Sequence, residues 1–342
     1  MSTLDAHGGW SGVLGALADG NDLNGEVTRA VLATILSGEA TDSQIAAFIV
    51  GLRMKGESVE ELTGLQGAML DAALPLSMPE GTIDIVGVGG APIRRLHALN
   101  VSTMAAFVAA GAGASVCKHG NRKASSTSGS FDLLEALGID VDVAPAELEA
   151  QVRDHGVGFA FARTFHPAMR HVGPVRAELG IPTVFNILGP LSHPARLTRQ
   201  VIGAASWPLA ESMVQVLHAT GSTRALVVHG DGGLDELTTT GPSRMLSLDN
   251  GDIAEIAVDV ADLGLASATP DDIAGGDAAA NAEIARAVFS GERGAKRDIV
   301  VLNAAAGLVA AGVVDDLAAG VEAAAAAIDD GRAAAKVAAL AN

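Results

Sequence analysis

Apolar positions early in the chain recur at intervals of three and four, most clearly in EVTRAVLATILSG, which is the period of a helix with one buried face. Two capping boxes follow, Thr41 with Gln44 and Ser58 with Glu61, and in each the hydroxyl satisfies a free amide at a helix start. The pattern predicts helices over 26–37, 43–55 and 59–73. Past Pro75 and Pro79 the grammar changes. IDIVGVGG, STMAAFVAAGAGA, SVCKHG and SFDLLEALG alternate strand and helix in the order of parallel βαβ units, and VGFAFA and RALVVHG read as two further strands. HPAMRHVGPVRAELG reads as a helical insert, LGPLSHPARLTRQ as a proline-punctuated connection, and the chain beyond about residue 270 as helical and alanine-rich.

The predicted fold class is α/β. A small helical domain, residues 1–75 completed by an insert at about 165–195, stands beside a larger α/β domain, 76–342, with a mainly parallel central sheet. Ligands in such designs sit between the two parts, where the helical domain can close over them.

Charge narrows the function. The chain has 342 residues, 22 of them basic and 40 acidic, a balance of -18 that repels nucleic-acid backbones and anionic membrane surfaces. Any anionic ligand must therefore be captured locally. Tyrosine is absent and aromatics are 3%, so platforms for base stacking are scarce. One cysteine, Cys117, fits a reducing compartment. The start, MSTLDAHGGWSG, has neither the basic nor the apolar part of a signal peptide, and the most apolar runs fall short of the ~18 to 20 residues of a membrane span. A cytoplasmic protein acting on small molecules, without nucleic-acid or membrane partners, is expected.

Three segments and one arginine carry candidate chemistry. In DIVGVGGAPIRRLHALNVST, Gly87, Gly89 and Gly90 end a strand and let backbone amides approach an anion, while the helix starting near Ser102 adds its free amides. KHGNRKASSTSGS, residues 118–130, follows the next strand and supplies cations, Lys118 and Arg122, with short donors, Ser125, Ser126 and Ser130. Two anion loops after adjacent strands point to a ligand with more than one phosphate. HGDGGLDELTT places Asp235 and Glu236 side by side after a strand, where their carboxylates can serve two Mg²⁺ ions on a polyphosphate. Arg176, in the helical insert, can grip a carboxylate with its fork, and His166 and His171 lie in the same segment. The lack of clustered Cys or Asp argues against zinc.

In order along the chain, GVGG, NVST, KHGNRKASSTSGSFDLLEALG, FNILGPLSHPA and GLDE resemble the motifs of the anthranilate phosphoribosyltransferase family, and the likeness covers nearly the whole sequence. The resemblance implies a nucleoside-phosphorylase-like phosphoribosyltransferase fold, a homodimer, Mg²⁺ as cofactor with two ions expected, and a place in tryptophan biosynthesis. The substrates it implies are 5-phosphoribosyl 1-diphosphate and anthranilate. By the same resemblance the donor would be met by Gly87, Gly90, Ala91, Asn100, Val101, Ser102 and Thr103. Lys118, His119, Gly120, Asn121, Arg122, Lys123, Ala124, Ser125, Ser126 and Ser130 would complete that site. Anthranilate would meet Gly87, Asn121 and Arg176, and the metals Ser102, Asp235 and Glu236. The chemistry needs no covalent nucleophile: the C1–diphosphate bond loosens and the aromatic amine attacks.

One loop departs from the family. Where GTGGDG is usual the chain reads Gly87-Val88-Gly89-Gly90-Ala91-Pro92, without the Thr hydroxyl or Asp carboxylate, and the path to Asn100 is a few residues longer. Pro92 has no N–H to offer, and Ala98 stands where the family often has Thr. Arg94 and Arg95 coincide with these losses, and one of them is expected to supply charge to the donor. SHPA, 192–195, replaces the commoner TNPA. Competing readings are a same-fold phosphorylase or phosphoribosyltransferase with another acceptor, and a noncatalytic nucleic-acid-binding relative, which the charge disfavours.

Overall fold

The computed structural model describes residues 3–89, 98–122 and 127–341. Five helices come first: α1 (Thr3–Ala6), α2 (Gly9–Ala18), α3 (Gly25–Leu36), α4 (Asp42–Lys55) and α5 (Val59–Asp71). Both capping boxes form, Thr41 Oγ1 taking the Gln44 amide and Ser58 Oγ the Glu61 amide, with the reciprocal side-chain bonds in place. Glu61 is fully buried, so it carries more than its cap. It accepts the Leu23 amide at 2.9 Å and the Lys55 ammonium at 2.8 Å, closing the end of the bundle.

The sheet then begins with β1 (Asp84–Gly87), followed by α6 (Val101–Gly111), β2 (Val116–Gly120), α7 (Ser130–Ala136), α8 (Pro145–His155) and β3 (Val157–Phe161). Three short helices make up the insert, α9 (Ala162–Phe165), α10 (Gly173–Leu179) and α11 (Val184–Leu191), with a 3₁₀ turn at Pro167–His171. β4 (Arg199–Gly203), α12 (Trp207–Ala219), β5 (Arg224–Gly230), β6 (Ser243–Asp249) and β7 (Asp252–Val258) complete the sheet, and α13 (Ala278–Phe289), α14 (Ala295–Ala311), α15 (Leu317–Asp329) and α16 (Arg332–Leu340) close the chain. The order is β1-β4-β5-β6-β7, parallel as far as β5 and antiparallel beyond it. β2 and β3 form a parallel pair joined to this sheet by one bridge, Ile83 to Val116.

Alternation along the strands divides the core. Ile83, Ile85, Val201, Leu226 and Val228 face α6 and the C-terminal helices, whereas Ile202, Ala204, Ala225 and Val227 face α12 and a cluster continuous with the N-terminal bundle and the insert. Gln66 of α5 donates to the Leu191 carbonyl of α11 at 2.6 Å, tying bundle to insert. Among the described residues no helix is long and apolar enough to cross a membrane.

Two elements depart from the sequence reading. LGPLSHPARLTRQ holds the last half of α11 and the start of β4, not only a connection. The helix begins upstream, where Asn186 Oδ1 accepts the Thr183 amide at 3.0 Å, and Pro190 falls in its last turn, so its missing N–H costs a single intrahelical bond just before the helix ends. β6 and β7 lie outside the predicted strands. Their turn is Asn250-Gly251, both at positive φ, and Asn-Gly is the strongest short signal of a hairpin.

Candidate active site

Because β1, β2, β4 and β5 run parallel, their C-terminal ends share one edge, and the loops leaving that edge carry the predicted chemistry. The Leu234–Leu237 loop folds back over it. Asn303 of α14 holds both the amide and the carbonyl of Leu237, at 3.1 and 2.8 Å, and Gly230 N–H donates to the Leu234 carbonyl at 2.8 Å. Asp235 is thereby laid across the ends of β1 and β4. A Cβ on Gly203 would overlap the Asp235 carbonyl, so that position requires glycine, and one on Gly87 would displace the Asp235 carboxylate. Asp235 Oδ2 accepts the Gly89 amide at 2.8 Å, placing the acidic pair directly on the glycine loop. Glu236 beside it is half-buried.

The second wall is the start of α6. Val101 and Thr103 are buried and Ser102 is half-buried, so Ser102 is the hydroxyl of NVST nearest solvent. The Asn100 amide is fixed on three sides: its Oδ1 accepts Ser128 Oγ at 2.9 Å and Asn281 Nδ2 at 2.8 Å, and its Nδ2 donates to the Ser128 carbonyl at 3.3 Å. Asn281, buried on α13, also donates to the Ala98 carbonyl and accepts the Gly276 amide, each at 2.8 Å. Asn281 and Ser128 are positioning residues that motif reading passes over. The signal for Asn281 is a polar amide among the alanines that open α13, Ala278 to Ala282.

The third wall is the end of β2. Lys118 is 2% exposed and its ammonium donates to the Ile85 carbonyl at 2.7 Å and the His119 carbonyl at 3.3 Å, inside the sheet. Gly120 allows Ser130 Oγ to pack against it and donate to the Asn121 carbonyl at 3.1 Å. Asn121 and Arg122 are exposed, and Arg122 meets Glu135 at 2.5 Å with its guanidinium 5.4 Å from the centre of the Phe161 ring. The predicted contacts at Gly90, Ala91, Arg94, Arg95, Lys123, Ala124, Ser125 and Ser126, and Pro92 with them, lie outside the described residues.

Behind this wall three buried imidazoles gather. The His119 ring lies 5.2 Å from that of His166 and 5.7 Å from that of His193. Burial pushes His166 down to about 4 and His193 to about 3, and holds His119 well below its ordinary value, so all three are neutral. His193 Nε2 donates to the Cys117 carbonyl at 2.9 Å and its Nδ1 accepts the Ala195 amide at 3.1 Å. His119 Nδ1 donates to the Gly189 carbonyl at 3.2 Å, which leaves its Nε2 buried without a hydrogen bond, as is His166 Nε2. Arg176, half-buried on α10, stacks 5.4 Å from the centre of the Phe185 ring and meets only the Asn186 side-chain oxygen, at 3.4 Å. Among the described residues no carboxylate pairs with it. His171, by contrast, packs its ring over Gly38, toward the bundle.

Two family models match the chain, the helical bundle domain of a glycosyl transferase family over residues 11–73 and the a/b domain of a glycosyl transferase family over residues 80–334. An anthranilate phosphoribosyltransferase of Arthrobacter sp. (strain FB24) is 48% identical over 332 residues, covering 95% of this chain and 93% of its own. Among solved structures, anthranilate phosphoribosyltransferase from Thermus thermophilus superposes with a TM-score of 0.89 at 40% identity, covering 95% of this chain and 97% of its own. The enzyme from Saccharomyces cerevisiae, in complex with PRPP and Mg, gives 0.88 at 26% identity over 99% and 98% of the two chains. With both domains matched and identity sustained across almost its full length, the chain belongs to the anthranilate phosphoribosyltransferase family.

Proposed function

We infer that the chain transfers the phosphoribosyl group of 5-phosphoribosyl 1-diphosphate to the amine of anthranilate, releasing diphosphate, a step of tryptophan biosynthesis. The observation that carries this reading is Asp235 lying on the glycine loop, which brings a metal-binding pair to a cradle of amides. No group of three or more His, Cys, Asp or Glu side chains suited to a metal occurs among the described residues. A pair of carboxylates with the Ser102 hydroxyl suits Mg²⁺, which keeps waters and substrate oxygens in its shell. Ser102 and Glu236 would hold one ion and Asp235 with Glu236 a second. Mg²⁺ bound there would neutralise charge on the departing diphosphate.

The remaining work belongs to the chain. Amides of Gly87 to Gly90 and of the first turn of α6, with Asn121, Arg122 and the serines up to Ser130, would hold the diphosphate and 5-phosphate, and Arg94 or Arg95 would replace the charge and hydroxyls missing from GVGGAP. Arg176, a half-buried cation with no carboxylate partner among the described residues, would take the carboxylate of anthranilate, with Asn121 and Gly87 setting the amine in line with C1. The neutral imidazoles are acceptors and donors rather than cations, and no group is needed as a base for so weakly basic an amine. A homodimer and a cytoplasmic location complete the proposal and rest on the family likeness.

Incubation with Mg²⁺, phosphoribosyl diphosphate and anthranilate should consume anthranilate, followed by its fluorescence. Arg176→Ala should raise the anthranilate KM by about tenfold or more and leave the donor KM near that of the parent. No turnover by the folded parent chain would refute the reading, and an unchanged anthranilate KM would remove Arg176 from it.

A further inference from the structure

β1 and β2 ought to pair as parallel neighbours, and for one rung they do. Ile83 N–H donates to the Ser115 carbonyl and Cys117 N–H to the Ile83 carbonyl, both at 2.9 Å. The next rung would join Ile85 to Cys117 and His119 by the same alternation. It does not form. His119 N–H donates instead to Asp84 Oδ1 at 3.0 Å, the Ile85 carbonyl accepts the Lys118 ammonium at 2.7 Å, and the Cys117 carbonyl accepts His193 Nε2 at 2.9 Å. Side chains occupy the place of the ladder, and beyond Ile83 no backbone bond among the described residues joins the two strands.

Backbone polar groups in a buried sheet must be satisfied, so strands that separate need substitutes at each rung. Asp84 and Lys118 are 0% and 2% exposed, and an isolated charge at such depth is unfavourable unless another opposes it. Burial pushes the Asp84 carboxyl up to about 7 against the pull of Lys118 and the backbone amides, while burial lowers Lys118 against the pull of Asp84 and Asp235. Lys118 donates to carbonyls rather than to Asp84, and Asp84 Oδ2 has no hydrogen bond, so these buried opposite charges are a poor source of stability. The position of the two charges accounts for them better: they lie between β1 and β2 where these strands lead to Gly87–Gly89 and to His119–Arg122.

We propose that Asp84 is a positioning residue for the phosphoribosyl donor, acting through Lys118 and the His119 amide to set the spacing and charge between the two phosphate loops. The inference rests on the donor site described above but not on the identity of the acceptor. Asp84 touches that site only through the His119 amide. Its sequence signal is a lone carboxylate in the apolar run IDIVGV.

Donor affinity, measured by calorimetry with Mg²⁺ and phosphoribosyl diphosphate, tests it without an acceptor. Asp84→Asn keeps an oxygen for the His119 amide and removes the charge, so affinity should fall by about tenfold while the anthranilate KM stays within about twofold. In a Lys118→Met background the same change should cost nothing further, because the residue it acts through is gone. Affinity within twofold of the parent, or losses that multiply in the double variant, would overturn the proposal. If Asp84→Asn does not fold, Asp84→Asn with Lys118→Met must fold, since both buried charges are then absent, and an unfolded double variant would equally overturn it. A parent chain that binds donor but does not consume anthranilate would count against the acceptor reading alone.

Discussion

β1 has a parallel neighbour on each side and is held by opposite means. Toward β4 the backbone ladder runs from Asp84–Gln200 to Gly87–Gly203, and the side chains around it, Val201, Ile202, Leu226 and Val227, are buried hydrocarbon. Toward β2 the ladder stops after Ile83–Val116, and a carboxylate, an ammonium and an imidazole take its place. A ladder fixes strands at about 4.8 Å and cannot open without losing its bonds. A seam of side chains can adopt whatever width those side chains span. The apolar side therefore carries the stability of the sheet and the polar side the shape of its site, although both are equally buried.

The largest effect should appear where the ladder side reaches the backbone of the acidic loop. Gly203→Ala puts a methyl group into the Asp235 backbone, which must move. Overpacking of this kind costs about 3 kcal/mol, and displacing Asp235 by about 1 Å should lower kcat/KM by about 100-fold. Urea melts and steady-state rates would read the two losses. Parent-like turnover would break the comparison, by showing that the acidic loop does not depend on β4. Leu226→Ala sharpens it from the other direction. Leu226 is 1% exposed on β5, away from the loops, so truncation should cost about 3 kcal/mol in the same melts and leave both KM values within about twofold. A shifted donor KM would mean that core packing, not the seam, sets the spacing of the phosphate loops.

The same contrast governs what could be read without coordinates. Local rules suffice for α4 and α5, whose caps are written in Thr41-x-x-Gln44 and Ser58-x-x-Glu61, and the loops at 87–89, 118–122 and 235–236 are legible because anion and metal binding demand particular residue types in short stretches. What escapes is whatever depends on partners far apart in the chain. Asn281 reaches Asn100, and His193 reaches Cys117, across separations that no motif encodes. The motif does not reveal that the Lys118 ammonium meets the Ile85 carbonyl, because the break in the ladder between β1 and β2 is a property of the sheet and not of either strand. Pro190 misleads for the opposite reason: a strong local breaker is tolerated because the helix is fixed at its other end by Asn186.

His193 gives the smallest effect and the finest test of the seam. Its Nε2 donates to Cys117 and its Nδ1 accepts from Ala195, a donor and an acceptor that an asparagine amide also offers, which explains how SHPA can stand where TNPA is usual. His193→Asn should thus be close to neutral at pH 7. Acid should separate the two proteins. His193 in the folded chain stays neutral until about 3, whereas in the unfolded chain it takes a proton near its ordinary 6.5, so between these values the unfolded state binds more protons. The parent therefore has the full benefit of the buried neutral ring above 6.5 and loses it as pH falls toward 3, a loss that asparagine cannot suffer. At about pH 4.5 the variant should be the more stable by about 2 kcal/mol in urea melts. Superimposable acid limbs would show that the ring does not remain neutral at the seam, and that the Cys117 carbonyl is held there by something other than a fixed tautomer of His193.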